Sequence, residues 1–199
     1  MSNPRIRGRA LSLACGAILT AALLGAGAAQ AASGGTGTPG GTAPTDPTTP
    51  TTPTGPSTVP GSKAKLVDGV AIPPADAPIE VQEVIEAANR INEMPYKYGG
   101  GHGKFAASGY DCSGAVSYAL HGGDFLDSPL DSSGLETWGA RGKGSWISVY
   151  ANAGHAYAVI AGLRWDTSGN AKGISGPRWH KNLRSAGRGR YVVRHAPGF

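Results

Sequence analysis

One cysteine lies in a setting that favours a reactive thiolate over a buried thiol. In the segment Tyr110-Asp111-Cys112-Ser113-Gly114, Asp111 is a good N-cap and places Cys112 in the first turn of a predicted helix. The free amide groups and the dipole at a helix N-terminus stabilise a thiolate. Cys112 is therefore our candidate nucleophile.

A nucleophilic thiolate needs a base beside it, and His155 is the best candidate in the chain. This histidine directly follows Gly154 and begins an apolar run that continues through Ile160. Such a run predicts a strand, and a ring at the start of a strand is free to face a cleft. The other histidines have weaker settings; His102, for example, lies in a Gly-rich loop.

Helices are predicted on the N-terminal side of this pair. Apolar residues recur at helical spacing between Asp76 and Met94, so a first helix should pack one face against the core. A second helix should begin at Cys112 or Ser113 and end near His121, before two glycines.

Strands are predicted on the C-terminal side. β-Branched and aromatic residues are enriched at 145–150 and 155–165, and a last strand is expected at 190–195. Residues 127–144 should be mostly loop, which leaves open whether they block a cleft. Helices followed by antiparallel strands predict an α+β domain with its helices on one side of a sheet.

The N-terminal residues have the features of a secretory signal peptide. Three arginines precede an uncharged run rich in Ala and Leu, and an Ala-Gln-Ala site ends at Ala31. We therefore predict a signal peptide over 1–31, in preference to a membrane anchor, and a secreted, cell-wall-associated protein. Its removal would discard Cys15, so the mature chain would keep only Cys112 and form no internal disulfide.

A low-complexity segment follows the predicted signal. Thr, Pro and Gly occupy 24 of the 30 positions in 33–62, so this stretch has little apolar surface to offset the entropy of ordering. We predict a disordered linker over 32–75 that holds a folded domain, residues 76–199, away from a surface.

Charge and motif content exclude several classes of function. Without the three signal arginines the chain has 15 basic and 13 acidic residues, and no aromatic-interleaved basic motif indicates nucleic-acid binding. The basic excess lies between Arg164 and Phe199, where it could attract an anionic wall polymer. No H-E-x-x-H or C-x-x-C motif is present, so we expect neither a metal nor a cofactor. We expect a monomer.

Three motifs follow one another along the predicted domain. They are Tyr96-Lys97-Tyr98-Gly99-Gly100, Asp111-Cys112-Ser113-Gly114 and Gly154-His155 before an apolar strand. In this order, over roughly residues 78–199, they resemble the NlpC-type bacterial cell-wall cysteine peptidases. The resemblance implies a reduced papain-like fold, with N-terminal helices packed on a small antiparallel sheet.

The resemblance also implies roles for individual residues. Cys112 would attack the peptide carbonyl, and His155 would pair with the thiolate and then protonate the leaving amine. Three residues are expected to bind substrate. Tyr96 matches a tyrosine that lines the family's site, Ser113 a position near the substrate's free amine, and Asp111 one that shapes that pocket.

The third catalytic position departs from the family's pattern. The polar residue that usually follows the histidine at a set distance falls here on Thr167, inside an Asp-Thr-Ser-Gly-Asn insertion. Allowing for the insertion, His180 is the best match, with Asp166 and His195 as alternatives.

The function implied is that of a secreted peptidoglycan hydrolase, a cysteine endopeptidase that cuts the γ-D-glutamyl bond to a diamino acid in stem peptides. Two alternatives stay open. One is an N-acetylmuramoyl-L-alanine amidase with the same Cys–His chemistry, and the other is an inactive or weakly active wall-binding module of this fold. The presence of both Cys112 and His155 favours an enzyme.

Overall fold

An antiparallel sheet with helices packed against it is the centre of this computed structural model, which describes residues 57–183 and 190–199. The helices are α1 (Ile79–Ile91), α2 (Cys112–Gly122) and α3 (Ser132–Thr137). The sheet contains β3 (Ala140–Arg141), β4 (Ile147–Asn152), β5 (His155–Ile160), β6 (Leu163–Asp166), β7 (Arg178–His180) and β8 (Val192–His195). Their order is β3-β8-β4-β5-β6-β7. This architecture confirms the predicted α+β class.

The described chain begins inside the predicted linker. The predicted signal peptide and residues 32–56 of the linker lie outside the described residues. Within the described ranges, no helix has the length and apolar character needed to cross a membrane.

The domain begins earlier than predicted, because β1 (Lys65–Val67) and β2 (Val70–Ile72) form a hairpin within the residues assigned to the linker. Asp68 and Gly69 have φ angles of 47° and 83°, as a two-residue Asp-Gly turn between strands requires. Ala71 is fully buried. Its N–H and C=O bond Oδ1 and Nδ2 of Asn89 on α1, at 3.1 and 2.8 Å.

The core lies between the helices and one face of the sheet. Alternate residues of β4 and β5 are almost completely buried, as expected for strands with one covered face. Helix α2 contacts β5 and β6, and α1 packs beside α2. Trp165 of β6 donates its indole N–H to the Ala115 carbonyl of α2 at 3.0 Å, which fixes the helix to the sheet.

The predicted single strand over 155–165 does not form; two strands form instead. β5 ends at Ile160, and Ala161 and Gly162 turn the chain with φ angles of 45° and 86°. β6 then pairs antiparallel with β5, with Ile160 opposite Leu163. The turn therefore brings the end of β6, which is Asp166, back toward the beginning of β5, which is His155.

The sequence analysis missed strand β7, which follows the 167–177 loop. β7 pairs antiparallel with β6, so that His180 lies opposite Arg164 and Arg178 opposite Asp166. Only three residues long, this strand is too short to show a clear alternation of apolar and polar residues. Its position at the sheet edge decides where His180 lies.

Candidate active site

Cys112 is the first residue of α2, as the sequence predicts. Asp111 is the N-cap, and its Oδ1 accepts a hydrogen bond from the Gly114 N–H at 2.8 Å. The Asp111 carbonyl also accepts the Ala115 N–H at 2.9 Å, so this residue caps the helix with both its side chain and its backbone. Cys112 is 9% exposed, so its sulfur is largely shielded but reaches the surface of a cleft.

Glycines are closely packed where the loop before α2 lies against the start of that helix. The Asp111 N–H donates to the Gly100 carbonyl at 3.2 Å. A Cβ at Gly114 would overlap that same carbonyl, and a Cβ at Gly100 would overlap the Gly109 carbonyl. The glycines of the second motif and of the preceding loop are therefore required for the loop to lie against α2.

His155 is held by a carboxylate behind it. Its Nε2 lies 2.9 Å from Oδ1 of Asp166, and the Asp166 side chain is fully buried. Because Nε2 is taken by this bond, Nδ1 is the ring nitrogen that remains for the Cys112 thiol. The β5–β6 turn thus gives the cysteine, the histidine and the aspartate the order in which a nucleophile, its base and an orienting group are usually found.

The pKa of His155 is raised from 6.5 to about 9. Burial of the ring lowers this pKa, but hydrogen bonds to Asp166 and Cys112, and the negative charges of both, raise it by more. The imidazolium is therefore the favoured form at neutral pH.

The pKa of Cys112 is lowered from 9.0. Burial raises the pKa of the thiol, whereas the hydrogen bonds to His155 and to the Ala156 backbone, together with the charge of His155, lower it by more. The Cys112–His155 contact contributes to both shifts, to which Asp166 adds for His155 and the Ala156 backbone for Cys112. The contact with His155 thus favours the reactive thiolate form of Cys112.

Ser168, which no sequence motif indicated, contacts both Asp166 and His155. Its backbone N–H and its Oγ donate to Asp166 Oδ1 at 2.9 and 3.0 Å, and Oγ lies 3.3 Å from His155 Nε2. Arg164 approaches the other oxygen, with Nε 3.4 Å from Oδ2. Burial raises the pKa of Asp166, but His155 and Ser168 lower it by more, which keeps the carboxylate ionised.

His180, our first candidate for the orienting group, approaches the Asp166 backbone, and the groups that shift the pKa of His155 are Asp166 and Cys112 instead. His180 lies on β7 opposite Arg164, and its buried Nε2 has no hydrogen-bond partner among the described residues. Burial, followed by the charge of Arg164, lowers its pKa. The prediction of His180 is therefore corrected to Asp166, because the β5–β6 turn shortens the path back to His155.

His195 is remote from the pair. It lies on β8 opposite Ala140 of β3, where its Nδ1 contacts the Gly142 carbonyl at 3.1 Å. Strands β4 and β5 follow β8 in the sheet order, and His195 pairs on the side away from them. The second alternative is thus excluded by topology.

A cleft of about 380 Å³ opens beside Cys112. All three residues expected to bind substrate line it: Tyr96, Asp111 and Ser113. Burial, and then the negative charges of Cys112 and Asp111, raise the pKa of Tyr96, so its hydroxyl stays protonated and able to donate. The start of α3, at Ser132, forms part of the wall opposite, so part of the 127–144 segment borders the cleft.

His102 joins this cleft, although its Gly-rich loop gave no sign of a role. Its Nε2 lies 2.9 and 3.0 Å from the two Asp111 oxygens and 3.0 Å from Ser113 Oγ. In the sequence, only its position between the first two motifs indicated that His102 could lie near the cleft. Sequence alone does not reveal that the loop folds over the N-cap.

Metal-binding geometry is not found in the described parts of the chain. Across 57–183 and 190–199, no group of three or more His, Cys, Asp or Glu side chains is arranged to hold an ion. The clustered titratable residues of the cleft instead pair with one another, as Cys112 with His155 and His102 with Asp111. What this arrangement offers is acid–base and nucleophilic chemistry.

The chain is similar in structure to solved domains. Among them is the P60 domain of antigen MAP1204 from M. avium subspecies paratuberculosis, with a TM-score of 0.42 and 17% sequence identity. The similarity covers 58% of this chain and 94% of that chain. No family model and no curated protein matches the sequence.

Proposed function

We propose that the chain is a secreted cysteine endopeptidase that hydrolyses stem peptides of bacterial peptidoglycan. The observation that carries the proposal is the ordered contact of Cys112 with His155 and of His155 with Asp166. A thiolate that contacts a protonated base, which in turn contacts a buried carboxylate, is suited to acyl transfer.

The reaction proceeds through an acyl-enzyme. The Cys112 thiolate attacks the carbonyl carbon, and the His155 imidazolium donates its proton to the leaving amine as the C–N bond breaks. Neutral His155 then takes a proton from water, the resulting hydroxide adds to the thioester carbonyl, and the C–S bond breaks to release the carboxylic acid, which ionises in solution. The thiolate and the imidazolium are restored, so protons and electrons balance over the cycle.

Charge that develops on the carbonyl oxygen needs donors near the sulfur. The backbone N–H of Cys112, at the open end of α2, is one such donor. The Tyr96 hydroxyl is the second, since it lines the same cleft and its raised pKa keeps its proton. Each donor of this kind is worth about 3 kcal/mol of barrier in comparable sites.

The substrate class follows from the resemblance and from the composition of the N-terminal residues. The resemblance implies the γ-D-glutamyl bond to a diamino acid, with Ser113 at a position that in the family lies near the substrate's free amine and Asp111 at one that shapes that pocket. The predicted signal peptide and the Thr/Pro/Gly-rich segment after it suit an enzyme that works within a wall. The basic residues after Arg164 would favour contact with anionic wall polymers.

Purified peptidoglycan tests the proposal directly. The full chain should release fragments cut within the stem peptide, identified by mass spectrometry, and Cys112→Ala should release none. His195→Ala is the matched control, because this histidine is outside the site and should retain activity. Fragments cut between sugar and first amino acid would instead identify an amidase. Wall binding without cleavage, unchanged in Cys112→Ala, would identify a binding module.

A further inference from the structure

Asp111 accepts more hydrogen bonds than a helix cap requires. Besides the Gly114 amide on Oδ1, the Gly99 N–H donates to Oδ2 at 3.0 Å. His102 Nε2 lies within 3.0 Å of both oxygens. The carboxylate is largely buried, with a side-chain exposure of 6%, so donors from the protein take the place of water.

The position of His102 Nε2 is the informative feature. Three oxygens surround this nitrogen at 2.9–3.0 Å, two from Asp111 and one from Ser113. A ring nitrogen has a single N–H and serves one of these acceptors well. A primary ammonium has three N–H donors, and its charge strengthens each bond to a carboxylate. The three oxygens therefore form a cradle whose chemistry fits an ammonium better than it fits the histidine.

The His102 ring is the more exposed partner in this cradle, although Gly101 before it packs on Tyr110 and Gly114. His102 stands between Gly101 and Gly103, its side chain is 35% exposed, and a Cβ at Gly103 would meet no other atom. Asp111 and Ser113, by contrast, are buried and fixed at the start of α2. Since these two residues flank Cys112 in the chain, whatever fills the cradle lies next to the nucleophile.

We propose that His102 is a specificity-determining residue that fills an ammonium site, so that the enzyme prefers substrates whose group at this point is an amide over those with a free amine. The inference rests on the proposed function. A free amine has to displace the ring from Asp111, whereas an acylated nitrogen leaves the ring in place. The preferred stem peptide is then one whose first residue is still acylated by the glycan strand.

Two synthetic tripeptides test this preference. One is L-alanyl-γ-D-glutamyl-diaminopimelate with a free amine, and the other is its N-acetylated form. His102→Ala should raise kcat/KM about 10-fold for the free amine, the equivalent of one charge-assisted hydrogen bond, with little change for the acetylated peptide. Lys104→Ala, in the same loop, is the matched control. Equal changes for both peptides, or no change for either, would overturn the proposal.

A binding measurement separates this inference from the proposed function. In a Cys112→Ala background, with and without His102→Ala, NMR titrations would use L-alanine amide and N-acetyl-L-alanine amide. The ammonium probe should bind about 10-fold more tightly once His102 is removed, and the acetylated probe equally to both. Equal or absent binding of the ammonium probe would reject the cradle. If binding follows expectation but neither tripeptide is cleaved by the unmodified enzyme, the proposed function fails and the cradle stands.

Discussion

Oδ1 of Asp166 lies 2.9 Å from Nε2 of His155, and a two-residue turn at Ala161 and Gly162 makes this contact possible. With β6 folded back along β5, residues eleven apart in sequence meet at the same end of the hairpin. A longer turn, or one continuous strand, would carry the carboxylate away from the ring. The chemistry of the site therefore depends on a feature of backbone conformation that no catalytic motif contains.

The negative charge of Asp166 should set the alkaline limit of activity. In Asp166→Asn the amide still accepts a hydrogen bond, but the charge that helps raise the pKa of His155 to about 9 is lost. That pKa should fall toward 6.5, so His155 loses its proton at lower pH. We expect the alkaline limb of the kcat/KM profile to move to lower pH and activity at pH 8 to fall about 10- to 100-fold.

His180 and His195 provide the comparison for this variant. His180→Gln and His195→Gln should leave the alkaline limb near the position set by a His155 pKa of about 9. A shift of that limb in His180→Gln, together with an unshifted limb in Asp166→Asn, would restore His180 as the orienting residue. Far-UV circular dichroism of each variant checks that the fold is retained.

Ser168 acts through its neighbours as a positioning residue. Ser168→Ala removes the Oγ contacts to Asp166 and His155, at 3.0 and 3.3 Å, and retains the backbone N–H bond. The loss of one hydrogen bond of about 1 kcal/mol should lower kcat about 5-fold with KM unchanged. Ser168→Thr should restore most of the activity, because it keeps the hydroxyl. A rise in KM alone, without rescue by threonine, would contradict this role.

The parts of the site that sequence could predict are those fixed by local rules. An aspartate N-cap places Cys112 at a helix start whatever the rest of the fold does, and a strand after Gly154 places His155 at its beginning. Both positions depend on a few neighbouring residues. The cleft-lining residues Tyr96 and Ser113 were instead predicted from the resemblance of their motifs to those of a known family.

The missed parts depend on turns and on contacts between distant segments. Gly162 is the only turn signal between β5 and β6, and Ala161 beside it prolongs the apolar run, so the break was not predicted. His102 reaches Asp111 only because the preceding loop packs on α2. The Asp68-Gly69 turn, in contrast, was visible in the sequence, and the Thr/Pro-rich composition before it outweighed the signal.

The reactivity of Cys112 should depend on His155. With iodoacetamide, the thiol should be alkylated with a midpoint below pH 9.0, because its pKa is lowered from that value. In His155→Gln, the hydrogen bond and the charge that lower the Cys112 pKa are lost, while burial still raises it. The midpoint of alkylation should therefore move to higher pH. A Cys15→Ser background ensures that Cys112 is the residue labelled. The same midpoint in both proteins would contradict a thiolate–imidazolium pair.

Asn89 should be important for stability although it lies far from the cleft. Its side chain bonds both backbone groups of Ala71, at 3.1 and 2.8 Å, and its Oδ1 accepts the Trp179 indole N–H at 2.9 Å. One residue of α1 thus connects the N-terminal hairpin to β7. Asn89→Ala should lower the free energy of unfolding by about 2–4 kcal/mol, since three bonds are lost and their partners stay largely shielded from water.

Urea unfolding of the full chain measures this change, and Asn92→Ala is its matched control. Asn92 makes a single exposed bond, from Nδ2 to the Gly69 carbonyl at 3.1 Å, so its removal should cost less than about 1 kcal/mol. A chain that starts at residue 76 should lose at least as much stability as Asn89→Ala, because it lacks the hairpin altogether. If the shortened chain unfolds at the same urea concentration as the full one, the hairpin is not part of the folded domain and the original boundary at Asp76 is restored.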